Sequence, residues 1–399
     1  AREESVDEKD CATIIYTSGT TGNPKGVMLS QANICLDMTL GMYNFDITRK
    51  TLHVLPPHHT FGSTVNYVGH LSQGCEVYIS SGIKHVSDEI KQQQPTHLIL
   101  VPAFLEVMNR KIWTTARKTG KEGLLKLMMK VSNCLRKVGI DLRKKLFSSV
   151  LSAFGGKLEL VICGGAKLDE EIIRTFDALG ITVLNGYGIT ECAPLISANR
   201  NKYQKPGSVG TPILACRVKI DNPNEYGEGE ICVKGPIVML GYYKDPKRTK
   251  SVFTEDGWFR TSDIAIQDEK GRFFIKGRNN NMILGPSGEN IYPEEIENVI
   301  NNVEGVSESI VVERDGRLVA LVQPDFVEWD NESEDKLYEK LDAWKAKVLK
   351  IVNRNVNKSS QVSSVEVMKE PFEKTATQKI RRFKYKDSAP TVEEEKKDK

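Results

Sequence analysis

With 399 residues, the chain is long enough for two or three domains of ordinary size, each with its own core. Apolar residues make up 39% and charged residues 27%, a globular rather than a disordered balance, and a net charge of only +3 gives no global field for nucleic acid, so no nucleic-acid partner is expected. No apolar run approaches the ~18 residues of a membrane span. The charged start, AREESVDEKD, holds no signal-peptide core, and the eight cysteines form no CxxC pair or Cys/His cluster. Zinc and redox motifs are therefore set aside, and scattered cysteines fit buried thiols in a reducing cytoplasm, the expected location.

In chain order, residues 11–16 (CATIIY) read as a short buried strand. A Ser/Thr/Gly-rich loop follows (TSGTTGNPKG, 17–26), and Ser30 is placed to cap a helix beginning near Gln31. Further strands are expected at 51–55, 75–79, 96–101, 158–163 and 181–184, with helices between them at 86–94 and 169–179. Strand alternating with helix implies a largely parallel α/β sheet. After about Ser208 the pattern changes to short β-type runs among Gly and Pro (CRVKI, GEICVKG, RFFIKG). After Asn280 it changes again: Pro293 opens a helix (PEEIENVINN), a hairpin turns at Asp315-Gly316, a charged helix spans about 333–355, and a strand follows at 363–368. The expected fold class is α/β. It comprises part of a large domain with a mainly parallel sheet and flanking helices (1–208), a β-rich subdomain (209–279), a mobile α+β C-terminal domain (280–387) and a polar, disordered tail (388–399).

The loop at 17–26 concentrates three glycines, a run of Ser/Thr hydroxyls and Lys25 within ten residues. Glycines let backbone N–H groups approach an anion, hydroxyls add donors, and a lysine supplies a point charge for phosphate. The Walker A spacing is absent. Thr17, Ser18, Gly19, Thr20, Thr21, Gly22 and Lys25 are therefore candidate phosphate-binding residues, against the alternative of a flexible polar loop. The segment YTSGTTGNPKGV resembles the phosphate loop of the adenylate-forming superfamily, which includes acyl-CoA synthetases, luciferases and peptide-synthetase adenylation domains.

Four more segments carry the resemblance, in the family's order. In NGYGITECAP (185–194) the resemblance implies that Asn185, Gly186, Tyr187 and Gly188 bind the nucleotide, with adenine stacked on Tyr187. It further implies that Thr190 contacts the α-phosphate and that Glu191 holds Mg²⁺, with Thr17 as a second metal contact. In GWFRTSDIA (257–265), Asp263 matches the aspartate that accepts hydrogen bonds from the ribose diol. In GRNNNMILGPSGENIYPEEIE (277–297), Arg278 matches a ribose-contacting arginine. Asn280 stands at the family's domain hinge, where Asp or Lys is usual, and Gly288 and Glu289 match a loop lining the thiol channel. In KTATQKIRRF (374–383), Lys379 matches the catalytic lysine, with Gln378 where Gly is common. LPPHHTFG (55–62) resembles a segment bordering the carboxylate pocket, making His59 a candidate for its wall. CGGA (163–166) also matches a family position, where the backbone of Gly164 and Gly165 could approach either adenine or the acyl group, so that both are candidate substrate contacts. Read without the family, Asp263 is a turn residue, the basic run a solvated strip, and His59 a structural histidine.

The resemblance is greatest to long-chain fatty acyl-CoA synthetases. It implies ATP, Mg²⁺ and coenzyme A as cofactors, an acyl-adenylate intermediate, and then thioester formation. Lys379→Ala is expected to cripple adenylate formation while sparing the thioester step. Two alternatives stand: an acyl-AMP or acyl-carrier-protein ligase, and a non-catalytic nucleotide-binding remnant. No GxSxG elbow is present, which disfavours hydrolase chemistry. Family members usually carry a domain-sized region before the phosphate loop, where this chain has sixteen residues. A truncated form, a processed chain and a short natural variant that needs a partner all fit that departure.

Residues 110–150 hold twelve Lys/Arg against only Glu122 and Asp141, interleaved with Leu, Met and Val. This reads as a basic amphipathic helical insertion. It suits an anionic membrane surface, an acidic acyl carrier protein or the phosphates of coenzyme A, and equally a solvated helix pair packed by one face.

Overall fold

The computed structural model describes residues 6–18, 24–47, 49–201, 203–285, 289–325, 334–368, 370–374 and 380–385. The chain divides into two compact units. The first holds Pro24–Thr261 and Ala265–Ile275 with the strand before them, and the second holds Ser262–Ile264 and the described residues of Lys276–Lys399.

The strands of the first unit start with β1 (Cys11–Ser18), β2 (Pro24–Ser30), β3 (Lys50–His53), β4 (Glu76–Ile79), β5 (His97–Leu100) and β6 (Leu160–Cys163). They continue with β7 (Thr182–Gly188), β8 (Leu195–Ala198), β9 (Thr211–Pro212), β10 (Arg217–Asp221), β11 (Gly229–Lys234) and β12 (Gly241–Tyr242). A seven-stranded sheet runs β4-β3-β5-β6-β7-β8-β9. Its first five strands are parallel, and β8 and β9 are added antiparallel. Central strands of a parallel sheet are covered on both faces and so read as unbroken apolar runs. Accordingly LVIC of β6 is buried throughout, and in β5 Leu98 and Leu100 enter one core while Ile99 enters the other. Helices Val86–Gln93, Pro102–Lys118 and Glu170–Leu179 connect the parallel strands. The last is capped by Asp169, which accepts from Glu171 N–H.

A second sheet has the order β10-β11-β13-β14, where β13 is Phe259–Gln267 and β14 is Phe273–Arg278. Ile231, Val233, Phe259 and Ala265 from this sheet share one core with Ile99, Ile162 and Leu184 of the parallel sheet, and with Val27 and Leu29 of β2. The β-rich segment thus merges its apolar face with the α/β layer, and the break between units falls after Ile275.

Two expectations are corrected here. CATIIY is not a buried strand: among the described residues β1 pairs only with β2, in a β1-β2-β12 sheet, and as its edge strand it leaves Ile14 and Tyr16 exposed. A strand that was not expected, β2, precedes the helix that Ser30 caps, and it pairs with β1 as a hairpin. Nor are the thiols uniformly buried: Cys163, Cys192 and Cys232 are, but Cys11, Cys35 and Cys134 are exposed, since they fall on an edge strand and outward helix faces.

In the second unit, β15 (Ile283–Leu284) and β16 (Asn290–Ile291) form a small hairpin. β17 (Val306–Arg314) and β18 (Arg317–Pro324) form a longer one, and β19 (Ser364–Val367) adds parallel to β18. The turn between β17 and β18 has Asp315 at φ 49° and Gly316 at φ 71°, the paired positive angles of a tight hairpin. Helices Pro293–Asn301 and Glu334–Asn355 complete this unit, whose core joins Ile296 and Ile300 to Val311, Val322, Trp344 and Val348. The tail expected at 388–399 lies outside the described residues, as do residues 386 and 387.

Candidate nucleotide site

Lys25 sits on β2, directly across the ladder from Thr17 of β1. Its Nζ donates to Glu191 Oε1 at 2.7 Å and to the Tyr242 hydroxyl at 2.8 Å, and stands 4.6 Å from the centre of the Tyr242 ring. Tyr242 in turn donates to Glu191 Oε1 at 2.9 Å. The three groups close a triangle because β12 pairs with β2, bringing Tyr242 beside Lys25. Glu191 arrives from the turn after β7, and Met239 N–H donates to its backbone carbonyl at 2.8 Å. Burial opposes charge on Glu191, yet the adjacent Lys25 ammonium and the Tyr242 hydroxyl hold its carboxyl below the usual carboxylate range. The Tyr242 phenol is pushed upward by burial and by the neighbouring negative charge, so it remains a hydrogen-bond donor.

The turn that carries Glu191 is tightly built. A Cβ on Gly188 would stand 2.2 Å from the Pro194 carbonyl oxygen, so only glycine fits there. Ile189 N–H donates to that same oxygen at 2.9 Å. Thr190 is buried, with its Oγ1 3.3 Å from Thr60 Oγ1. Asn185 is buried in the middle of β7, and Tyr187 is half-buried against the core. Gly164 and Gly165 follow β6. A Cβ at Gly164 would meet the Phe61 ring at 3.3 Å and the Gly186 carbonyl oxygen at 3.5 Å. Phe61, rather than His59, therefore lies on this glycine, while the His59 ring accepts from Phe61 N–H at 3.3 Å. Thr60, Phe61, Gly164, Gly165 and Thr190 follow the carboxyl ends of β3, β6 and β7, where open parallel sheets bind ligands.

In the second unit, Asp263 is buried and accepts from Arg278 Nε at 3.1 Å. Ser262, immediately before it, has φ 62°, a strained value for a side-chain-bearing residue and one that recurs where function over-determines the backbone. Asn280 is exposed in the short turn Asn279–Asn281. Asn281 donates to Glu294 at 2.6 Å. Gly19, Thr20, Thr21, Gly22, Gly288 and Lys379 lie outside the described residues, as does the Ser18 side chain.

Among the described residues, several buried side-chain polar atoms have no hydrogen-bond partner, and two of them, Thr17 Oγ1 and Asn185 Oδ1, belong to this site. Such atoms are costly unless a ligand completes them. Together with the Lys25 ammonium and the Glu191 carboxylate, they fit a polar, phosphate-bearing ligand. Among the described residues no three His, Cys, Asp or Glu side chains cluster as an all-protein metal site. Mg²⁺ does not need one, since it binds through one or two carboxylates plus substrate phosphates. Glu191 is the carboxylate available for that. Sequence reasoning misses Tyr242, Thr60 and Phe61; the first comes from another sheet strand, and no motif marks it.

A family model described as AMP-binding enzyme matches residues 1–243. Arabidopsis thaliana has two relatives among the most similar. "Probable acyl-activating enzyme 16, chloroplastic" is 31% identical over 96% of this chain and 63% of its own length. "Long-chain-fatty-acid--[acyl-carrier-protein] ligase AEE15, chloroplastic" is 30% identical over 97% of this chain and 62% of its own. Human long-chain-fatty-acid–CoA ligase 1 is 33% identical over 79% of this chain and 48% of its own length. The chain thus spans less than two thirds of these relatives. Among solved structures, ATP-bound MatB from Rhodopseudomonas palustris superposes with a TM-score of 0.71 at 26% identity, covering 96% of this chain and 69% of that one. The fold with its glycine-bounded turn, the Lys25–Glu191 pair and these matches lead to one conclusion: the chain belongs to the AMP-binding, adenylate-forming enzyme family.

Proposed function

We propose that this chain belongs to an ATP-dependent ligase that activates a long-chain fatty acid as its acyl-adenylate and passes the acyl group to coenzyme A. The observation that carries the reading is the part-buried Lys25–Glu191–Tyr242 triangle beside Thr190, with Thr17 and Asn185 presenting polar atoms that have no partner among the described residues. A carboxylate resists attack by a thiolate because its leaving group would be oxide. When bound, ATP and Mg²⁺ supply AMP as the leaving group and neutralise its phosphate charge. In the first step the carboxylate oxygen bonds to the α-phosphorus and pyrophosphate leaves. In the second the thiolate bonds to the acyl carbon and AMP leaves.

The protein's part is positioning and electrostatics. Glu191 is held ionised for a cation, Lys25 is placed for phosphate oxygens, and Thr190 for the α-phosphate. Tyr187 offers a ring face for the base, and Asp263 with Arg278 offers an acceptor and a donor for the ribose. We place Lys379 as the adenylating lysine, His59, Phe61 and Gly164 at the acid, Gly288 at the thiol, and the hinge at Asn280. Fatty acid as substrate is supported by the names of the plant and human relatives. The acceptor has a second reading, acyl carrier protein, favoured by the name of the 30% identical plant ligase and by the basic segment 110–150.

The test is pyrophosphate–ATP exchange over a panel of carboxylic acids, followed by thioester formation with coenzyme A or a carrier protein. Exchange that rises with fatty acid and falls ~10²-fold or more in Lys379→Ala supports the reading. Acid-independent or absent exchange, with ATP still bound, would reduce the chain to a nucleotide-binding remnant.

A further inference from the structure

The basic helix Glu122–Lys137 has a face the ligase chemistry does not use. At 100° per residue, Leu124, Leu127, Val131, Cys134 and Val138 fall within an arc of ~80°. The four aliphatic side chains are between 48% and 72% exposed, and Cys134 is exposed too. Ile140 and Leu142 extend the exposed apolar run past the helix end. This is not the packing face. Leu125, Met129 and Ser132 point about 150° away from the middle of that stripe, where Leu125 and Met129 join the core beneath. Lys126, Lys130 and Lys137 lie together on the opposite flank of the exposed stripe. The helix therefore has one apolar face in the core, a second in solvent, and lysines bordering the second.

An apolar arc in water needs an occupant. From position 124 to 138 the stripe is ~21 Å long and about 10 Å wide, on the order of 200 Å². That is well short of the roughly 800 Å² per partner of a stable protein interface. A bilayer surface has no such minimum, because a narrow stripe sinks to the headgroup boundary while its lysines meet lipid phosphates. Charge agrees: twelve Lys/Arg against two acidic residues over 110–150 select an anionic surface. No described helix is long and apolar enough to cross a membrane, so contact would be peripheral.

We propose that Glu122–Lys137 and the turn after it lie on an anionic lipid bilayer, with Leu124, Leu127, Val131 and Val138 at the headgroup boundary and Lys126, Lys130 and Lys137 against lipid phosphates. The proposal does not depend on the ligase reading.

The test uses the full chain with Cys134 carrying an environment-sensitive dye in a Cys11→Ser/Cys35→Ser background, which removes the other exposed thiols. Phosphatidylcholine vesicles with phosphatidylglycerol should float the protein at low salt and shift the dye emission to the blue. Neutral vesicles should do so far less. Leu127→Glu/Val131→Glu should lower partitioning ~tenfold or more at any salt. Lys126→Gln/Lys130→Gln/Lys137→Gln should weaken it at low salt and flatten its salt dependence. All these positions are exposed, and unchanged circular dichroism checks the fold. No flotation at low salt, flotation indifferent to both variants, or a dye shift with acidic carrier protein but not with vesicles would each overturn the proposal.

Discussion

Glu191 is a buried carboxylate whose charge depends on two neighbours of different kinds. Lys25 contributes a full charge and Tyr242 a single hydrogen bond. Bonds to charged groups contribute about 1.5–3 kcal/mol. Tyr242→Phe should therefore lower thermal stability by that order, keep Lys25–Glu191 paired, and raise the ATP concentration needed for pyrophosphate exchange. Thermal melts and exchange kinetics on the same sample check this. A melt unchanged from wild type would show that Tyr242 does not support Glu191.

A second residue-scale feature is a buried histidine pair. His70 and His97 are fully buried with ring centres 4.8 Å apart, and His53 lies close by on β3. Burial pushes His70 down to about 4 and His97 down to about 3 from 6.5, each further disfavoured by a neighbouring histidine. The folded pKa values lie below the unfolded one, so the unfolded chain binds more protons between these limits. Stability is full above about 6.5 and falls as pH drops toward 4 and then 3. Each tenfold weakening of proton binding in the folded state corresponds to about 1.4 kcal/mol. Melting temperature should fall steadily from pH 6.5 to 4, and His70→Gln/His97→Gln should flatten the slope. A slope unchanged in the double variant would assign the acid sensitivity elsewhere.

At the scale of elements, the helix Pro293–Asn301 is tied to the end of the chain by one buried ion pair. Glu297 accepts from Val311 N–H at 2.7 Å and pairs with Arg382. Burial raises the Glu297 carboxyl, and Arg382 opposes that rise. Removing one partner of a buried pair strands the other charge and costs about 3–5 kcal/mol. Glu297→Ala should thus destabilise the second unit by that order, seen as a lowered transition in calorimetry. Because Glu297 and Arg382 both belong to that unit, the transition of the first unit should stay in place. A uniform shift of all transitions would mean that the units unfold as one.

Some elements were legible because their signals are local. Ser30 accepts from Asn33 N–H while the Asn33 side chain returns a bond to Ser30 N–H, the reciprocal cap expected where a helix opens after serine. The Asp315-Gly316 turn and the expected strands at 158–163 and 181–184 were legible for the same reason, since turn angles and apolar runs are short-range properties. β2 was not, because PKGVMLS begins with Pro and Gly and lacks a strict alternation.

At the scale of the whole molecule, the changes of pattern along the sequence fall near residues 208 and 280, and the two compact units divide after Ile275. Motif order alone determined the family and singled out Glu191, Asp263 and Arg278, because those residue types at those spacings are set along the chain. Tertiary structure decided that Tyr242 closes the triangle around Glu191, that Phe61 covers Gly164, that β1 is an exposed edge, and that one apolar face of Glu122–Lys137 stays in solvent. Those facts depend on which distant strand or helix comes to rest beside each residue. Hydrogen bonds that span 51 positions, from Glu191 to Tyr242, or 166, from Lys25 to Glu191, leave no trace in local periodicity.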